Sequence, residues 1–109
     1  MATVRKREAA KRDLISQWVW YAEKADIETA DGFLKAAEDT AAMLAGQPEA
    51  GYRLAVRRPE LQGMRRLALP DGFEKILLFY FPVENGIELV RVVHGSRDLE
   101  RMLAEGFFG

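Results

Sequence analysis

Residues 75–94 constrain the fold more than any other stretch. Lys75-Ile76-Leu77-Leu78-Phe79-Tyr80-Phe81 is almost wholly apolar, and Ile87 to His94 follows it, rich in β-branched residues. An apolar run this short, bounded by turn signals, predicts a central strand buried on both faces. Between the two runs lies Glu84-Asn85-Gly86, and Asn-Gly is the favoured pair for a tight hairpin turn. Pro82 is expected to end the first strand, because proline cannot donate to a ladder. Gly95 is expected to end the second. A third strand is predicted over Met64–Leu69, closed by the Pro70-Asp71-Gly72 turn.

Such a sheet needs apolar cover, and the first half of the chain supplies two helical patterns. Leu14, Trp18, Tyr21 and Ala25 recur at a helical period, with Ile15 and Ala22 beside them. This predicts a helix over residues 8–24. Trp20 falls on the opposite side of it, as an exposed anchor for a partner or as a core residue in a shifted helix phase. A second helix is predicted over 27–45. Asp26 is its N-cap, and Thr29 stands where a capping box would want Glu or Gln. Its apolar face is Ala30, Phe33, Leu34, Ala37, Ala41 and Leu44. Gly46 and Pro48 form its stop signal. Helices joined by so short a link lie antiparallel.

Residues 2–7 suit a brief edge strand, and 47–63, with Pro48, Gly51, Pro59 and Gly63, an irregular segment. Ser96 is placed to cap a last helix over Arg97–Ala104. The expected order is (β)ααβββα: one α+β domain spanning 1–109, in which an N-terminal helical hairpin covers one face of a small antiparallel sheet. A length of 109 residues leaves room for one core. Cysteine is absent, which excludes disulfides and thiolate metal sites and fits a reducing cytoplasm. The charged N-terminus has no apolar segment of a secretory signal, and no apolar run is long enough to span a membrane.

The net charge of −1 hides an asymmetry. Arg5, Lys6, Arg7, Lys11 and Arg12 crowd the start. Acids dominate residues 23–49. Arg53, Arg57, Arg58, Arg65 and Arg66 follow. Basic flanks around an acidic middle can present one basic face to an anionic partner, although any single charge is better read as solvated surface. His94 is the only histidine, and can serve as a general base or simply as a hydrogen-bonded residue at a strand end. No metal-ligand spacing, phosphate loop or cofactor motif occurs, and Ser16 and Ser96 have no triad around them.

Three segments carry a family resemblance. Ala9-Ala10-Lys11-Arg12-Asp13-Leu14 followed by Trp18 resembles the first helix of ParE-like toxins. Lys75 to Phe81 resembles their central strand, with its aromatic pair containing Tyr. Gly86 to Leu99, closing on His94-Gly95-Ser96-Arg97-Asp98-Leu99, resembles their C-terminal signature. The chain is thereby identified as similar to the RelE/ParE superfamily of type II toxins, in the ParE branch.

The resemblance implies a cytoplasmic toxin, a ParD-like antitoxin that forms a hetero-oligomer with it, and DNA gyrase as the target, with no cofactor, no membrane and no sequence-specific DNA binding of its own. RelE-type relatives instead cut mRNA on the ribosome, and the two branches share a fold, so fold alone does not choose. Arg97, Arg65 and Arg66 match basic positions of the nuclease site. Leu77 stands where nucleases often place an arginine, and Met102 and Leu103 where they often carry a tyrosine. These departures favour a binding poison over an endonuclease; a non-toxic interaction module of the same fold is the third possibility. Candidate target-binding residues are Arg65, Arg66, Arg91, His94 and Arg97, and candidate antitoxin contacts are Trp20, Phe107 and Phe108.

Overall fold

The computed structural model describes residues 1–95. Its elements are β1 (Thr3–Lys6), α1 (Glu8–Lys24), α2 (Ile27–Gly46), β2 (Tyr52–Arg53), a 3-10 turn (Pro59–Leu61), β3 (Arg65–Ala68), β4 (Ile76–Val83) and β5 (Gly86–His94). Both helices fall where their apolar stripes put them. Asp26 caps α2, its carboxylate accepting the Thr29 N–H at 2.6 Å. The predicted helix over Arg97–Ala104 lies outside the described residues.

The five strands are ordered β1-β5-β4-β3-β2, so β4 is central as expected. The sheet is mixed, not antiparallel, because β1 runs parallel to β5 with Thr3 beside Gly86 and Lys6 beside Leu89. One edge of β5 is taken by β4. The other would be left bare, and the N-terminal strand fills it. Gly86 is required there: a Cβ at this position would sit 1.9 Å from the Thr3 carbonyl oxygen. Only Glu84 and Asn85 form the hairpin loop, since Val83 already pairs with Gly86, and Asn85 takes the left-handed conformation at φ 64°.

Pro82 does not end β4. It pairs with Ile87, and the strand runs on to Val83. The reason is local: the β3 ladder stops at Arg65 beside Tyr80, so beyond that point one side of β4 is an open edge, where a missing N–H is tolerated.

The β4–β5 ladder also jumps register. Tyr80 pairs with Leu89 but Phe79 pairs with Arg91, leaving Val90 as an extra residue on β5. The bulge resets the alternation of side chains. Ile87, Leu89 and Val92 all join the helix-facing core with Ala10, Leu14, Phe33, Leu44, Leu78 and Tyr80. Val90 and Val93 turn to the other face, with Leu61, Met64, Leu77 and Phe79. That second face is covered by the irregular segment, through Leu54, Val56 and Leu61, which is why β4 is apolar on both sides.

The apolar stripe of α1 is only partly core. Ala10 and Leu14 are buried, and Tyr21 packs on Phe33 and Phe73 at ring separations of 5.5 and 5.4 Å. Trp18 is half-buried, Ala25 is exposed and Ile15 is 66% exposed. The helix is rotated toward Ala10 and Tyr21, which leaves its Ile15 flank outside.

Candidate functional site

Arg65 and Arg66 are adjacent on β3, so their side chains leave opposite faces of the sheet. Arg65 pairs with Tyr80 on the helix side. Its guanidinium donates to the backbone oxygens of Glu49 and Gly51 at 3.0 and 2.7 Å. The Tyr80 hydroxyl accepts the Gly51 N–H at 2.9 Å and donates to the Pro48 oxygen at 2.7 Å. Together the two side chains clamp the segment that leaves α2. Burial pushes the Tyr80 phenol up from its ordinary range, which keeps it a neutral donor. Gly51 fits only without a side chain, because a Cβ would meet the Tyr80 hydroxyl oxygen at 2.4 Å. Arg65 is therefore a structural residue.

Arg66 stands on the other face, between Phe79 of β4 and Tyr52 of β2. Among the described residues no carboxylate pairs with it. Tyr52 beside it is 70% exposed. Arg91 flanks Phe79 from the other side, so Arg66 and Arg91 lie two strand spacings apart, roughly 10 Å. Arg91 is committed elsewhere. Its Nε and Nη2 donate to the two carboxylate oxygens of Asp13 at 2.7 and 2.9 Å, and Asp13 also accepts the Val92 N–H at 2.9 Å. Both side chains are largely buried, 18% and 15% exposed.

His94 is half-buried at the end of β5 beside Ile76, about 10 Å along the ladder from the Arg66 row. The four expected target-binding residues that are described, Arg65, Arg66, Arg91 and His94, thus do not form one cluster. Arg66 alone is both outward and unpaired among the described residues, and Arg97 lies outside them. The basic N-terminal flank is also largely spoken for: Arg5 and Arg7 pair with Glu88, Lys6 with Glu38 and Lys11 with Glu8. Among the described residues no group of three His, Asp or Glu side chains gathers as a metal site.

The outer surface of the helical hairpin shows what the sequence reading missed. Between α1 and α2 lies an apolar groove of about 200 Å³ lined by Leu14, Ile15, Trp18 and Leu34. The Trp18 indole N–H donates across it to Asp31 at 3.0 Å. A signal was present: Ile27, Asp31, Leu34 and Glu38 recur at i, i+4, i+7 and i+11, a second stripe beside the core face of α2. Trp20, the expected anchor, is 48% exposed and rests edge-on against Tyr21 at 5.2 Å. At about 100° per residue it lies some 160° around α1 from Trp18, outside the groove. Phe107 and Phe108 lie outside the described residues.

A family model described as "ParE toxin of type II toxin-antitoxin system, parDE" matches residues 4–99. The chain belongs to the ParE toxin family. A solved structure described as the chromosomal ParDE toxin–antitoxin system from P. aeruginosa shares its fold, with a TM-score of 0.68 at 17% identity, covering 86% of this chain and 96% of that one. No curated protein matches closely enough to add to this. Membership of the ParE family makes the chain the toxin of a toxin–antitoxin pair, and so gives it an antitoxin partner.

Proposed function

We propose that this ParE-family toxin is a cytoplasmic binding poison of DNA gyrase, held inactive by a ParD-like antitoxin that covers the outer face of its helical hairpin. The observation that carries binding over cleavage is the dispersal of the charged groups. RNA cleavage needs a base, an acid and cations gathered at one phosphate. Here Arg65 holds backbone carbonyls, Arg91 holds Asp13, and His94 sits a separate row away. Leu77 lies on the same sheet face as Arg66. An outward arginine beside an exposed tyrosine suits docking on an acidic protein surface, since both residue types are enriched at interface hot spots. Trp20, on the side of α1 away from the groove, is a separate antitoxin contact in this reading; Arg97 remains a target-binding candidate, and Phe107 and Phe108 remain antitoxin candidates.

The reading is tested with purified toxin in two assays: gyrase supercoiling, and primer extension on translated mRNA. Inhibited supercoiling with intact mRNA is expected. Cleavage within codons, lost in His94→Gln, overturns it in favour of a nuclease. Unhindered growth of cells that contain soluble toxin reassigns the chain to a non-toxic interaction module.

A further inference from the structure

The β2–β3 ladder sets two arginines against each other. Arg53 and Arg65 are directly opposed. Their side chains therefore share one face of the sheet, opposite that of Tyr52 and Arg66. Like charges in this position are destabilising. Among the described residues neither arginine makes an ion pair. The fold accounts for Arg65, whose Nη1 holds the carbonyls of Glu49 and Gly51. It does not account for Arg53, an exposed residue at which a neutral side chain would remove the repulsion.

Both arginines line one cleft of about 250 Å³, which opens where the β3 ladder stops and β4 has a free edge. Nε and Nη2 of Arg65 have no partner among the described residues, so its guanidinium, fixed by the two carbonyls, keeps donors for a ligand. Glu49 lines the same cleft without pairing with either arginine. Two guanidiniums and one carboxylate leave a single positive charge there. That balance suits one monoanionic group. A nucleic-acid strand would instead bring successive phosphates past Glu49. Phe81 and Pro82 supply an apolar wall, against which the methylene stem of an acidic side chain can rest.

We infer that Arg53 and Arg65 form a socket for one carboxylate, supplied by an aspartate or glutamate of a protein partner. The carboxylate bridges the two guanidiniums and replaces their repulsion with charge-assisted contacts. Tyr52 precedes Arg53 on β2, so the socket adjoins the Tyr52–Arg66 face across the edge of the sheet. Gyrase as the source of the carboxylate rests on the reading that the toxin docks on it; the socket itself does not.

The socket is measured first without any partner. Acetate, titrated against chloride at equal ionic strength, is expected to shift the NMR signals of the Arg65 side-chain N–H groups and of the Gly63 amide, since Gly63 also lines the cleft. Arg53→Gln is expected to abolish these shifts. It is also expected to melt no lower than the wild type, and slightly higher at low salt, where the repulsion is least screened. In a binding titration with purified gyrase, Arg53→Gln is expected to lose about tenfold in affinity, the order for one hydrogen-bonded charge pair. Arg57→Gln, which removes an exposed arginine outside the cleft, is expected to bind as the wild type does.

Acetate shifts that are absent from the wild type, or that persist in Arg53→Gln, overturn the socket. Shifts with phosphate but not with acetate overturn the carboxylate as its ligand. A clear loss of melting temperature in Arg53→Gln assigns the residue to the fold and overturns the inference. Wild-type gyrase affinity in Arg53→Gln, or an equal loss in Arg57→Gln, overturns the docking role. Acetate seated between the arginines of a toxin that does not bind gyrase at all supports the socket while refuting gyrase as the target.

Discussion

Asp13 of α1 and Arg91 of β5 are joined by two parallel hydrogen bonds, and the same carboxylate receives the Val92 N–H. The contact sits just past the end of β1, which stops beside Leu89. There β5 has an open edge, and Asp13 supplies the acceptor that the missing strand residue would have given. One side chain thus ties the first helix to the last described strand. Asp13→Ala is expected to cost about 2–3 kcal/mol, because it leaves a largely buried guanidinium without its carboxylate and a strand N–H without its acceptor. Denaturant melts of Asp13→Ala, Arg91→Ala and the double variant check this through their coupling energy.

Arg65 and Arg66 separate a fold requirement from a docking role. Arg65→Glu is expected to lower both thermal stability and toxicity, since it releases the carbonyls of Glu49 and Gly51. Arg66→Glu is expected to lower gyrase inhibition while the melting temperature stays within a degree or two, as for a surface change. Equal melting losses in both variants would refute the assignment.

Tyr80→Phe removes one hydroxyl that serves a buried N–H and a partly buried carbonyl. The expected loss is about 1–3 kcal/mol, the range for stranding such groups, read from urea unfolding. Susceptibility to proteolysis is expected to rise first in the 47–51 segment, which the clamp holds.

The Asp26 cap gives a pH signature. Its carboxyl is held below the ordinary range by hydrogen bonding from Thr29. A depressed folded-state value contributes stability above the unfolded value, near 4, and that stability is lost as pH falls through the folded one. Asp26→Asn should therefore melt closest to wild type in acid and fall behind it as pH rises toward neutrality. Parallel melting curves from pH 6 down to 3 would count against the cap.

Trp20→Ala tests the aromatic flank. Its ring contact with Tyr21 is worth about 1 kcal/mol of stability, while its exposed half is free to meet the antitoxin. A modest drop in melting temperature with a larger drop in antitoxin affinity is expected. A stability loss alone would assign Trp20 to the fold.

Much of this fold was legible because local rules and global packing agree. Periodicity located both helices, and the apolar run at 76–80 marked the doubly buried strand. What escaped prediction depends on distant partners. Residues 2–7 read as an edge strand, which β1 is, but nothing near Thr3 announces that it lies beside Gly86, so the parallel pairing was invisible. Pro82 carries a stop signal that holds only where a neighbour needs its N–H, and β3 had already ended. For the site, charge counting treated Arg65, Arg66 and Arg91 alike. Their alternation on the sheet and the position of Asp13 across the chain decide which of them is available.

The pairing of β1 with β5 also sets an order of events in the cell. The first strand to leave the ribosome cannot find its place until the last described strand has been made, whereas α1 and α2 are adjacent in sequence and free to associate early. The groove between these helices therefore forms while the sheet that carries Arg66 is still unfinished. In the proposed reading, the face that the antitoxin covers is thus synthesised before the face that docks on the target is complete.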